Sequence, residues 1–189
     1  MTRSSSRILL SPNAVTHQSC QTPYITGMAN LDSRELRSAF GYFATGVTII
    51  TGRAADDAPV GITSNSFTSV SLDPPLVLWS LAKTSRSFAA FEQAKTFVVH
   101  VLAREQQDLS ALFSSKSDDK FSPISSKIGE TSSGDPMIEG CLATFECETF
   151  SVNEGGDHIL IIGKVIKFEY SRRDPIIFFK GRYSFLQDI

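Results

Sequence analysis

The chain has 189 residues, of which 41% are hydrophobic and 20% charged, an ordinary balance for one soluble globular domain. A formal net charge of −2 gives no global basic field for nucleic acid, and no apolar run reaches the roughly 18–20 residues a membrane-crossing helix needs. Three cysteines, Cys20, Cys141 and Cys147, without Cys-x-x-Cys or Cys/His spacing, argue against a disulfide framework and a zinc site, so a cytoplasmic protein without metal is expected.

Met1 to Asn30 contains no acid and only Arg3 and Arg7 as formal charges. Its apolar cluster Ile8-Leu9-Leu10 is too short for a signal-peptide core. Residues 1–30 are read as a disordered or dispensable tail, a transit peptide being the alternative, and Met28 offers a second start. The domain is expected over 31–189.

Asp32-Ser33-Arg34-Glu35 has the form of a helix N-terminus, with Asp32 as N-cap and Glu35 three residues on. Leu36, Ala39, Phe40 and Phe43 then recur at helical spacing as one apolar face, and Gly46 is expected to end the helix. Val47–Thr51 reads as a strand, Gly52–Ala58 as a turn and Pro59–Ser66 as the hairpin partner.

The stretch from Gly61 to Pro75 interleaves four Ser, two Thr and Asn65 with Ile62, Phe67 and Val70, and ends in Pro74-Pro75. Alternation along a strand would put hydroxyls on one face, and the proline pair would interrupt the ladder before Leu76. On chemistry alone this is a polar edge strand. The sharper reading is a wall of small donors around a flat polar ligand. Leu76–Leu81 is a buried strand carrying Trp79, the single tryptophan.

Lys83-Thr84-Ser85-Arg86-Ser87 precedes a helix expected at Phe88–Gln93. Hydroxyls and two bases beside a helix start suit a phosphate; the plain alternative is a capped surface helix with solvated bases. In the strand Thr96–Leu102, His100 is read as a satisfied core histidine and not a ligand. Arg104–Phe113 is an amphipathic helix with Leu109, Leu112 and Phe113 inward, and Ser114–Gly134 a polar loop containing Asp119-Lys120-Phe121. Ile138–Ser151 alternates as a half-buried strand. Within it, Cys141 and Cys147 would stand roughly 20 Å apart at about 3.3 Å per residue, too far to bridge. Glu154-Gly155-Gly156 makes a hairpin turn, Asp157-His158 leads into Ile159–Tyr170, and Ile176–Phe179 precedes Lys180-Gly181-Arg182-Tyr183. Strands in hairpin order with few helices predict a mainly-β domain closed into an antiparallel barrel.

No nucleophile–base pair, glycine-rich phosphate loop or glycosidase-like carboxylate pair is visible. A redox enzyme whose cofactor does the chemistry needs from its protein only binding, orientation and exclusion of water. Three ordered motifs then carry a resemblance: Phe43-Ala44-Thr45-Gly46-Val47-Thr48-Ile49; Thr63-Ser64-Asn65-Ser66-Phe67-Thr68-Ser69-Val70-Ser71 with Pro74-Pro75-Leu76; and Gly156-Asp157-His158 with Gly163-Lys164-Val165. Over about Leu31 to Leu186 the chain resembles the flavin reductase-like family, the NAD(P)H:flavin oxidoreductase components of two-component monooxygenases.

The resemblance implies an FMN-binding split barrel, six antiparallel strands in Greek-key order with flanking helices, forming a homodimer. It implies FMN or FAD as flavin and NADH or NADPH as reductant. By position, Thr63, Ser64, Asn65 and Ser66 would border the isoalloxazine and ribityl chain, with Ser69, Val70 and Ser71 beside them. Lys83, Ser85 and Arg86 would hold phosphate, Phe121 would cover the flavin site, His158 would face nicotinamide and Tyr183 would complete the pocket. The family often has Ala where this chain has Ser64. A partner flavin-dependent monooxygenase would receive the reduced flavin, and neither nucleic acid nor membrane is expected as a partner. Two alternatives stand beside this reading: a non-catalytic split barrel binding flavin or haem, and an oxidase of a pyridoxine-type phosphate, which would need a denser set of bases.

Overall fold

The computed structural model describes residues 32–186, so the expected tail, with Arg3, Arg7, Cys20 and Met28, lies outside the described residues. Along the chain come α1 (Ser33–Phe40), β1 (Thr45–Gly46), β2 (Thr48–Arg53), β3 (Pro59–Ser64), β4 (Thr68–Leu72) and β5 (Pro75–Ala82). They are followed by α2 (Phe88–Gln93), β6 (Thr96–Val101), α3 (Gln107–Ser114), β7 (Ile128–Glu130), β8 (Pro136–Ile138) and β9 (Ala143–Gly155). The last strands are β10 (His158–Tyr170), β11 (Ile177–Phe179) and β12 (Arg182–Ser184).

Seven strands form one antiparallel sheet in the order β3-β2-β6-β9-β10-β5-β4. Strand alternation divides its side chains between two cores. Ile50, Trp79, Phe97, Val99, Ile159 and Ile161 belong to the inner one, against which Val60 and Ile62 from edge strand β3 also pack. The neighbouring residue Ile49 points the other way, into an outer core with Val47, Leu102, Leu109, Phe113 and Ile176. Close packing leaves no room for side chains at two glycines: a Cβ on Gly163 would stand 2.4 Å from the Phe97 ring, and one on Gly61 2.4 Å from Phe113.

The sheet is rolled around the inner core, but its edges β3 and β4 are not paired. Ser66, in the link between them, takes up part of that task. Its hydroxyl accepts from the Ser80 N–H (2.9 Å) and donates to the Ser80 carbonyl (3.2 Å). The expected mainly-β split-barrel fold is thus present, with seven strands in its sheet where six were expected and with the sheet left unclosed between β3 and β4.

Local expectations met four corrections. The first helix ends at Phe40, with Gly41 as C-cap, and Thr45–Gly46 instead pairs with β11. Gly41 disfavours helix continuation, and Phe43 is 78% exposed, so no packing of this face extends the helix. Ile138–Ser151 is broken at Gly140 (φ +72°), giving β8 and β9, and places Cys141 before β9. The loop Ser114–Gly134 contains β7, which pairs with β8. The proline pair interrupts less than expected, since Pro75 stands opposite Leu72 in the β4–β5 ladder.

His100 is the satisfied core residue its context predicts. Nδ1–H donates to the Ile49 carbonyl (3.1 Å), and Nε2 accepts from the Ile138 N–H (3.0 Å). Burial lowers its pKa to about 4, so the ring is neutral in this tautomer at ordinary pH.

Candidate active site

Ser66 is also where the polar stretch becomes a site. Its Oγ lies 2.8 Å from that of Ser64, and its bonds to Ser80 fix its place against β5. Two residues further along β5, Ala82 stands opposite His158 in β10. Two strand residues span about 7 Å, so Ser66 lies near His158 across β5, whereas the ladder puts Ser64 level with Ala143 and Tyr170, at the far end of β9 and β10 from His158.

The His158 hairpin turns through Gly156 and Asp157, with Gly156 at φ +73°, a conformation glycine adopts without cost. His158 Nδ1 lies 2.7 Å from Asp157 Oδ1. That bond holds the exposed Asp157 carboxyl below its ordinary pKa. The Lys83 N–H donates to the Asp157 carbonyl (2.9 Å), and Lys83 Nζ is ion-paired with Glu154 on the same hairpin. Ser85 Oγ accepts from the Ser87 N–H (3.2 Å) and opens the turn into α2. Arg86 Nη1 donates to Asp118 Oδ1 (2.8 Å) and to the Lys116 carbonyl (2.7 Å). Lys83 is thus tied to the His158 hairpin and Arg86 to the Lys116–Asp118 segment, with both bases already engaged by acids.

A cavity of about 1080 Å³ opens beside the same polar link. Phe40, Tyr42, Phe43, Phe67 and Phe178 form apolar walls, while Asn65, Ser66 and Thr68 line a polar side. Lys180 Nζ sits 4.1 Å from the Tyr42 ring centre, a cation held on an aromatic face. Thr45 also lines this cavity, and its hydroxyl is buried with no hydrogen-bond partner. Such an orphan group costs free energy unless a ligand satisfies it. Aromatic walls with a few convergent polar groups fit a planar heterocycle bearing a polar edge.

Other residues singled out in the sequence lie elsewhere. Thr63 Oγ1 donates to the Ser110 carbonyl of α3 (2.8 Å). Ser69, Val70 and Ser71 occupy the edge strand β4 at a register shift, with Val70 exposed. Phe121 stands edge-on to Phe113 with ring centres 5.2 Å apart, in the outer core. Tyr183 shares a 2.8 Å hydrogen bond with the buried Ser110 hydroxyl and packs against Phe178, one layer behind the cavity wall. Lys120, adjacent to Phe121, donates to the Phe113 carbonyl (2.8 Å) and the Gly61 carbonyl (3.3 Å). Partial burial, then Arg86, lowers its pKa.

Sequence reasoning assigned no role to Thr45, Asp118 or Glu154. Thr45 was visible within Ala44-Thr45-Gly46, but its isolation from partners depends on β1 pairing with β11. Among the described residues, no group of three or more His, Cys, Asp and Glu is placed to hold a metal ion, and no helix is long and apolar enough to cross a membrane.

Residues 40–187 match the flavin reductase like domain, and the chain belongs to the flavin reductase-like family. Among its relatives is FMN reductase (NADH) SmoA of Agrobacterium fabrum, 43% identical over 153 residues, covering 81% of this chain and 86% of the relative. The reductase component of a flavin-dependent trigonelline monooxygenase from Acinetobacter baylyi is 44% identical over 79% of this chain and 48% of its own length. The chain spans about half the length of the first curated relatives it matches. In fold it is similar to the NADH:FAD oxidoreductase SgcE6 of Streptomyces globisporus, with TM-score 0.80 and 34% identity, covering 88% of this chain and all of that one.

Proposed function

We propose that this chain is an NAD(P)H:flavin oxidoreductase that reduces FMN or FAD and supplies reduced flavin to a partner monooxygenase. The observation that carries this reading is the aromatic-walled cavity whose polar side is lined by Asn65 and Ser66 and by Thr45 with its orphan hydroxyl. Relatives named as an NADH-dependent FMN reductase and as a monooxygenase reductase component support the same chemistry.

When bound, flavin supplies the hydride-accepting ring, so the chain is left to bind, orient and exclude water. Ser64, Asn65 and Ser66 offer hydroxyl, amide and backbone groups to its polar edge, while Thr63 ties β3 to α3 through the Ser110 carbonyl and Ser69, Val70 and Ser71 continue the chain into edge strand β4. Thr45 adds a hydroxyl that nothing in the protein occupies. Lys83, Ser85 and Arg86 hold the phosphate. Phe121 and Tyr183 act from the outer core, Tyr183 by fixing Phe178 in the cavity wall.

His158 orients the reductant. With Nδ1–H donating to Asp157, Nε2 is left to accept a hydrogen bond from the nicotinamide carboxamide. No proton need pass through this ring, because hydride transfer to flavin requires neither acid nor base from it. Its contribution is to hold the donor ring in place, which lowers the entropic part of the barrier.

A homodimer in the cytoplasm completes the proposal. Phe150, Val152, Ile166 and Phe168 of β9 and β10 are exposed, as are Phe40 and Phe43 beside the cavity. Covering such apolar surface is the usual reason a chain self-associates. The test of function is aerobic NADH or NADPH consumption by the purified chain. Consumption should rise with added FMN or FAD; flavin binding with no flavin-dependent consumption would leave a binding module instead.

A further inference from the structure

Both bases assigned to phosphate are held by carboxylates of this same chain. Arg86 is paired with Asp118 at 2.8 Å, and Lys83 with Glu154. These acids come from different segments, the Ser114–Gly134 loop and the His158 hairpin. Neither pair is a buried structural bridge: Asp118 is 96% and Glu154 78% exposed. Exposed pairs contribute little to stability and open readily.

We propose that Asp118 and Glu154 are built-in competitors of the flavin phosphate, which weaken flavin binding and so keep the flavin exchangeable. The inference rests on the assignment of phosphate to Lys83 and Arg86. A phosphate dianion and a carboxylate seek the same cationic donors, so phosphate must displace the resident acids or share the bases with them. In either case nearby negative charge opposes its binding. A protein that passes its reduced flavin onward gains from this arrangement, since most changes in affinity appear in the rate of release. Arg86 also donates to the Lys116 carbonyl, a bond that does not use Asp118, so a second contact holds the guanidinium.

The test compares FMN and riboflavin, which lacks phosphate, by equilibrium binding to the full chain. Asp118→Asn and Glu154→Gln keep side-chain size and remove charge. Each should tighten FMN about threefold, and the double variant about tenfold, with riboflavin affinity unchanged and thermal stability within a few degrees. Arg86→Ala and Lys83→Ala serve as the control on the assignment and should weaken FMN far more than riboflavin. If they do so while the acid variants leave FMN affinity unchanged or weaker, the competition is overturned and the phosphate assignment stands. Equal effects of Arg86→Ala and Lys83→Ala on both ligands would overturn the assignment and the competition together.

Discussion

Two histidines stand on this sheet in opposite states. His100 is fully buried, with both ring nitrogens bonded to backbone groups from β2 and β8. His158 is 40% exposed, with one nitrogen bonded to its neighbour Asp157. His100 therefore has no valence left for a ligand, while His158 has a free nitrogen at the open end of the sheet. The contrast separates a residue that holds the fold from one available for chemistry. It rests on partners, since each histidine belongs to a strand rich in apolar residues.

The largest effect expected is on the structural member of the pair. His100→Ala removes a packed ring and strands the Ile138 N–H and the Ile49 carbonyl in a dry interior. The combined cavity and desolvation cost is about 3–5 kcal/mol. Urea unfolding should show the loss, with NADH oxidation per folded molecule nearly unchanged. Lost activity at full stability would reverse the assignment of the two histidines.

A second effect follows from the His100 pKa of about 4, against an ordinary 6.5. Between these values the unfolded chain binds a proton that the folded chain refuses. Stability from this group is thus complete above pH 6.5 and is lost as pH falls toward 4. The full loss is roughly 3 kcal/mol at about 1.4 kcal/mol per pKa unit. Melting temperature followed across this window should fall, and less steeply in His100→Ala.

His158→Ala should act on rate and not on the fold. Loss of an orienting hydrogen bond raises the hydride-transfer barrier by roughly 1–3 kcal/mol, with flavin affinity and stability nearly unchanged. Anaerobic stopped-flow reduction of the preformed flavin complex isolates that step. An unchanged rate at saturating NADH would remove His158 from the mechanism and leave it a hairpin residue.

This contrast was partly legible in the sequence. The short helix at Phe88–Gln93 and the hairpin before His158 were readable because a serine turn and a Gly-Gly pair act locally, although the N-cap Ser87 makes no side-chain cap bond. The apolar run around His100 already favoured a core residue. What escaped depended on distant partners. Arg86 meets Asp118 32 residues on, and Lys83 meets Glu154 71 residues on, so solvated bases and paired bases look alike in sequence. The extent of the first helix escaped for another reason: Phe43 keeps helical spacing with Phe40 although the helix has already ended. Hairpin order alone does not reveal whether the outermost strands meet, so the split between β3 and β4 came from the family resemblance and not from the pattern.

Thr45 adds a third state to the two histidines: a polar group that is buried and yet unpartnered. In a merely structural position such a hydroxyl is a defect, and Thr45→Val, which replaces it with a methyl of similar shape, should be neutral or stabilising by up to about 1 kcal/mol. A hydroxyl kept for flavin predicts a second consequence of the same change. The variant should then bind FMN and riboflavin more weakly by a similar factor, roughly fivefold for one neutral hydrogen bond of about 1 kcal/mol. Equal loss for the two ligands distinguishes a contact to the ring system from one to phosphate, where only FMN would suffer. Stability and affinity moving in opposite directions would mark Thr45 as a residue retained for the ligand at the expense of the fold. Unchanged affinity for both ligands would leave it an unexplained defect in the cavity wall, and the site would then rest on the Ser64–Ser66 link and His158 alone.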